Sequence, residues 1–126
     1  MIFKLKTAKR TQEIFSEIER STHLKPYTLV KHAIAWSLKD GIPADKFNYD
    51  TNGQELNRQT IMGEYEEYFK VLVEQVEGRY LTDEEFFPKY VKAHIDRGAI
   101  ILESRFKHAG NMDKYVLQTL GVGDTV

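Results

Sequence analysis

The chain contains no cysteine, which excludes disulfides, thiolate metal sites and cysteine nucleophiles. Long apolar runs are also missing. No stretch approaches the roughly 20 residues of a membrane span, and Met1-Ile2-Phe3-Lys4-Leu5-Lys6 alternates apolar with basic residues, unlike the core of a signal peptide. A soluble, cytoplasmic protein is expected. Proline is scarce at 3 residues, there is no glycine-rich phosphate loop, and no serine elbow occurs. The four histidines, His23, His32, His94 and His108, stand in no metal-ligand spacing. Neither a metal nor a cofactor is expected, and the usual signs of an enzyme are missing. What is present suits one folded unit over residues 1–126: 41% hydrophobic and 29% charged residues in a length that supports a single core.

The pattern predicts a mainly α chain with one short N-terminal strand at residues 2–6. Phe3 and Leu5 take one face of that strand, and Lys4 and Lys6 the other. Thr7 stands where a helix N-cap would be, and Ile14, Phe15 and Ile18 mark an amphipathic helix over 8–21. Pro26 opens a second helix, 26–39, whose dense apolar residues imply burial on several sides and so a subunit interface. Residues 41–55 read as a loop with a tight turn at Asn52-Gly53. Further helices are expected at about 57–77, stopped by Gly78, at 83–106 behind a Thr82/Glu85 capping box, and at 111–120. Pro88 lies too deep for a first turn, which predicts a kink or a fresh helix beginning there. A lone strand leaves its edges unpaired, and pairing it with a second copy gives a ribbon-helix-helix-like start followed by additional helices.

The net charge of -1 is uneven along the chain. Residues 1–40 carry eight basic and four acidic residues, net +4; residues 41–80 carry four and eight, net -4. Local cation density, not the total, governs contact with phosphates. Lys4, Lys6, Lys9, Arg10, Lys25 and Lys31 are therefore the candidate phosphate contacts. Glu64, Glu66 and Glu67 beside Tyr65 and Tyr68 could serve as Mg²⁺ ligands for phosphodiester chemistry, although such a run more commonly forms the wet side of a helix. In His94-Ile95-Asp96-Arg97 the His and Asp are two apart and do not share a helix face.

Three strings carry a family resemblance. They are Ser21-Thr22-His23-Leu24-Lys25-Pro26 before the apolar helix, Gly53-Gln54-Glu55-Leu56-Asn57-Arg58 running on to Gly63-Glu64-Tyr65, and His94-Ile95-Asp96-Arg97-Gly98. Over roughly residues 3–105 the chain resembles DndE, the small subunit of bacterial DNA phosphorothioation. Where that family has Arg-Thr-Gly-Leu-Thr-Pro, His23 must take the turn that glycine takes elsewhere. The resemblance implies a homo-oligomer, a tetramer in preference to a dimer, that binds double-stranded DNA and favours nicked DNA. It also implies partners: a cysteine desulfurase, a subunit related to PAPS reductases, and an ATPase. The small subunit would carry no sulfur itself, in keeping with the missing cysteine. A ribbon-helix-helix transcription regulator reading bases through Lys4 and Lys6 is the alternative, and a nicking nuclease using the Glu64 region a third.

Overall fold

In the computed structural model, which describes residues 2–109, the chain begins with a strand, β1 (Lys4–Lys6), and two helices, α1 (Lys9–Thr22) and α2 (Pro26–Lys39). These lie within a residue or two of the expected bounds. The helix expected at 111–120 lies outside the described residues. Ile14, Phe15 and Ile18 are buried as their spacing predicts. His23 ends α1 in the left-handed conformation, φ 62°, and its N–H donates to the Glu19 carbonyl. Histidine is among the residues that tolerate this region better than most. Pro26 occupies the first turn of α2, where a missing N–H removes no hydrogen bond.

The strand does not await a second copy. It pairs antiparallel with β2 (Glu55–Asn57) of the same chain, in the register Lys4 with Asn57, Leu5 with Leu56 and Lys6 with Glu55. Leu5 and Leu56 point into the core. The ladder extends through Thr7 N–H to Gln54 O at 2.9 Å and Arg58 N–H to Phe3 O at 2.7 Å. Three residues are too few for an alternation to register, so the loop reading of 41–55 and the helix reading from 57 both passed over β2.

Thr7 is not the cap of α1, because its hydroxyl binds the Ala8 carbonyl and accepts from Gln54 N–H. Carboxylates from distant segments cap the helix instead. Asp96 accepts the Ala8 N–H at 3.0 Å, and Asp50 accepts those of Lys9 and Asn52, both at 2.9 Å. The two backbone donors hold the Asp50 carboxyl below the usual range.

The expected helix over 57–77 is divided. Asn57 caps a short helix, α3 (Arg58–Met62), through the N–H groups of Gln59 and Thr60. Gly63 then turns with φ 51° and ψ -131°, a tight 3₁₀ turn follows over Gly63–Tyr65, and α4 (Glu66–Glu77) ends at Gly78 as expected. The Thr82/Glu85 capping box forms at α5 (Asp83–Glu85). Over Phe86–Val91 the backbone takes the wider π-helical form around Pro88, which has no N–H for a normal ladder, and α6 (Lys92–Ala109) resumes at Lys92 instead of starting at 88.

Helices α1 and α2 pack on α6. Leu29, Val30, Ala33 and Ile34 of α2 join Ile95, Ala99 and Leu102 of α6 in the core. The chain itself thus buries α2 on several sides, and the apolar density of this helix requires no subunit interface. The exposed apolar face is on the 3₁₀ turn and α4, where Tyr65, Tyr68, Val71 and Leu72 face solvent.

Candidate nucleic-acid interface

Because directly opposed residues of an antiparallel pair share a face, Lys4, Lys6, Glu55 and Asn57 form the outer side of the ribbon. Lys4 Nζ lies 3.7 Å from Glu55 Oε2, and both are well exposed. Lys6 and Lys9 are exposed and form no ion pair among the described residues. Lys25, at the turn between α1 and α2, reaches Glu19 at 3.9 Å. Exposed pairs of this kind contribute at most about 1 kcal/mol, so a phosphate can replace the carboxylate at modest cost. Arg10 is held more firmly, 2.6 Å from a Glu103 carboxylate whose side chain is only 16% exposed.

Lys31 stands apart from these, on the outer side of α2 in a depression of about 390 Å³ lined also by His32, Ala35, Trp36 and Lys39. Two cations outside the predicted set meet at the Trp36 ring, Lys39 from within the depression and Arg105 from α6. Lys39 Nζ lies 4.8 Å and Arg105 Cζ 4.7 Å from the centroid of the Trp36 ring. The Trp36/Lys39 spacing of three on one helix was readable in the sequence, whereas the approach of Arg105 from α6 was not.

The strings that carried the resemblance have structural work in this fold. In the string that begins at Gly53, a Cβ on that glycine would fall 2.2 Å from the Ala8 carbonyl oxygen, so only glycine lets the loop pass beneath the start of α1. Leu56 fills the core, and Asn57 caps α3 while its N–H donates to the Tyr27 hydroxyl at 3.3 Å. Arg58 is buried. Its guanidinium binds Glu66 through Nε and Nη2, Asp83 through Nη2 at 2.8 Å, and the Ile2 carbonyl at 2.9 Å, and it lies over Phe87. Hydrogen bonding to Glu66, then to Asp83, raises the Arg58 pKa, and the same bond holds the Asp83 carboxyl below its ordinary value. This clamp joins the segment before β1 to α3, α4 and α5. It also engages Glu66, one of the acids considered as a metal ligand, and among the described residues no group of three His, Asp or Glu could hold a metal ion.

The string at 94–98 works inside α6. His94 Nδ1 is 2.7 Å from Ser37 Oγ, and its Nε2 is 2.9 Å from Glu77 Oε2. Arg97 donates to Ser37 Oγ at 2.9 Å and to the Ile42 and Pro43 carbonyls at 2.6 and 2.9 Å. With its oxygen accepting from Arg97, the Ser37 hydroxyl donates to His94 Nδ1, which leaves Nε2–H to donate to Glu77. The sequence of groups resembles a nucleophile–base–acid relay. Ser37 and the His94 and Glu77 side chains are all at least 98% buried, so no substrate can reach them, and the chain of bonds ties α2, α4 and α6 together. Burial holds the His94 pKa below its ordinary value despite the opposing pull of Glu77. As expected from the spacing, Asp96 faces elsewhere, toward Ala8, Thr11 and Lys92.

Among the described residues no helix is long and apolar enough to cross a membrane. No curated protein matches the chain significantly. Solved structures share the fold, among them two of DndE. One is the crystal structure of DndE from Escherichia coli B7A, involved in DNA phosphorothioation modification, at 16% identity and a TM-score of 0.66 over 81% of this chain and 97% of that one. The other is a DndE mutant involved in DNA phosphorothioation, at 13% identity and a TM-score of 0.64 over 80% and 97%. At this identity the likeness establishes the fold. The family model described as DNA sulphur modification protein DndE matches residues 4–110, most of the sequence, and the chain therefore belongs to the DndE family of DNA sulphur modification proteins.

Proposed function

We propose that this chain is a non-catalytic, DNA-binding subunit of DNA sulphur modification, holding the backbone of double-stranded DNA, with a preference for nicked DNA, while partner enzymes exchange oxygen for sulphur. Those partners are a cysteine desulfurase, a subunit related to PAPS reductases and an ATPase, in the cytoplasm. The observation that carries this reading is the family match over residues 4–110, and the net +4 of residues 1–40 supplies the cations. Lys4, Lys6, Lys9, Arg10, Lys25 and Lys31 are the contacts first expected, with Arg10 the least available of them because of Glu103. Phosphate contact displaces condensed counterions, so log affinity for a fluorescein-labelled duplex, followed by anisotropy, is expected to fall with log salt at a slope of about -0.9 per contact. A slope steeper than about -3 fits several contacts per assembly, and binding that ignores salt would overturn the reading.

The regulator alternative is disfavoured by the ribbon, whose outer face places Glu55 directly opposite Lys6 and thus an acid where bases would be read. The nuclease alternative is disfavoured by the engagement of Glu66 with Arg58. Assembly as a homo-oligomer, a tetramer in preference to a dimer, belongs to the same proposal. Tyr68 at 71% and Val71 at 60% exposure leave α4 an apolar face suited to such contacts. Light scattering is expected to give a mass near four chains, and a mass of 14.7 kDa would rule assembly out.

A further inference from the structure

We infer that the DNA phosphodiester backbone is held chiefly on the α2–α6 face, by Lys31, Lys39 and Arg105 around the Trp36 indole, and not by the N-terminal ribbon. This inference rests on the DNA-binding reading and names the surface that performs it.

Three observations carry it. First, among the described residues the cations here are not neutralised: Lys31, Lys39 and Arg105 form no ion pair with any of them, and no described carboxylate lines the depression. The ribbon and the start of α1 differ, since Lys4 is paired with Glu55, Glu55 sits opposite Lys6, and Arg10 of α1 is paired with Glu103. Second, the charges are gathered. The Lys39 and Arg105 heads lie 4.8 and 4.7 Å from the centroid of one ring, so they are separated by no more than about a Debye length, and an anion between them relieves their mutual repulsion. Third, the indole holds them in place. Trp36 is only 8% exposed and fixed in the core cluster, and cation–π attraction keeps two long side chains near their binding positions, which lowers the ordering cost of contact. His32, whose pKa burial lowers, adds no full charge at neutral pH, so the three cations define the site.

Trp36 is the single tryptophan of the chain, so its emission reports on this face alone. The full-length protein is titrated with a fluorescein-labelled duplex by anisotropy, and with the same duplex unlabelled by tryptophan emission. Saturating duplex is expected to change Trp36 emission over the concentration range in which anisotropy rises. The double variant Lys39→Ala/Arg105→Ala is expected to bind about tenfold more weakly at equal salt, with the salt slope reduced by about two, while Lys39→Arg keeps parental affinity. Parental affinity in the double variant, or anisotropy saturating with unchanged tryptophan emission, overturns the inference. If binding is instead lost in Lys4→Ala/Lys6→Ala/Lys9→Ala, the contact belongs to the ribbon and the DNA-binding reading stands. No anisotropy change with any duplex removes both.

Discussion

Replacement of Asp96 by asparagine is expected to destabilise the fold by about 3–5 kcal/mol, the usual cost of leaving one member of a buried ion pair alone. The Asp96 side chain is wholly buried and receives three donors: the Ala8 N–H at 3.0 Å, the Thr11 hydroxyl at 2.6 Å and the Lys92 ammonium at 2.6 Å. The first two come from the start of α1, where a negative charge also complements the helix dipole. Asparagine keeps the shape and can still accept through Oδ1. Its amide nitrogen would face Lys92, donor against donor, and the 10%-exposed ammonium would lose its counter-ion and keep only the Tyr49 carbonyl at 3.2 Å. Against a typical total stability of about 5–15 kcal/mol this is a large fraction. Urea unfolding followed by helical circular dichroism measures it, and a variant within about 1 kcal/mol of the parent would remove Asp96 from this role.

Gly98→Ala is expected to lower stability by about 3 kcal/mol or more, although alanine is ordinarily favoured over glycine in a helix by about 1 kcal/mol. A Cβ at position 98 would lie 1.8 Å from the Ala33 carbonyl oxygen and 2.4 Å from its carbon. The obstacle is backbone, so no side chain can rotate away, and α2 and α6 must separate. Separation opens the layer formed by Ile34, Ile95, Ala99 and Leu102. The sign decides the matter: a melting temperature lowered by roughly 10 °C or more fits the close crossing, and a raised one contradicts it.

Asp96 and Gly98 belong to the same five-residue string, and they illustrate what the sequence could and could not disclose. The spacing of Ile14, Phe15 and Ile18, the proline at 26 and the capping box at 82–85 act within a few residues, and each was readable. Lys92 is four residues from Asp96 and Glu66 eight from Arg58, but Ala8 and Thr11 at Asp96, Ala33 at Gly98, Asp83 at Arg58 and Gln54 at Thr7 lie tens of residues away, and no local pattern signals them. Thr7 looked like a cap because it had the right side chain, while the true acceptor came from α6. At the candidate interface the cations were visible in the sequence. Which of them an acid already engages was not, since Glu103 meets Arg10 across 93 residues of chain. The resemblance strings marked the family, and the structure assigns them to caps, clamps and close crossings.

The cap of α1 has one consequence for the order in which this molecule can be built. Its acceptor lies 88 residues downstream of the amide it serves, and the ribbon joins residues about 50 apart in sequence. Contacts of such range come late in folding, because the loop between them must close first. A chain emerging from the ribosome therefore cannot complete the start of α1 until the beginning of α6, as far as Asp96, has been synthesised. Arg105 lies further downstream still, so the α2–α6 face is assembled only after residue 105 has been made, and shorter nascent chains do not present it to DNA.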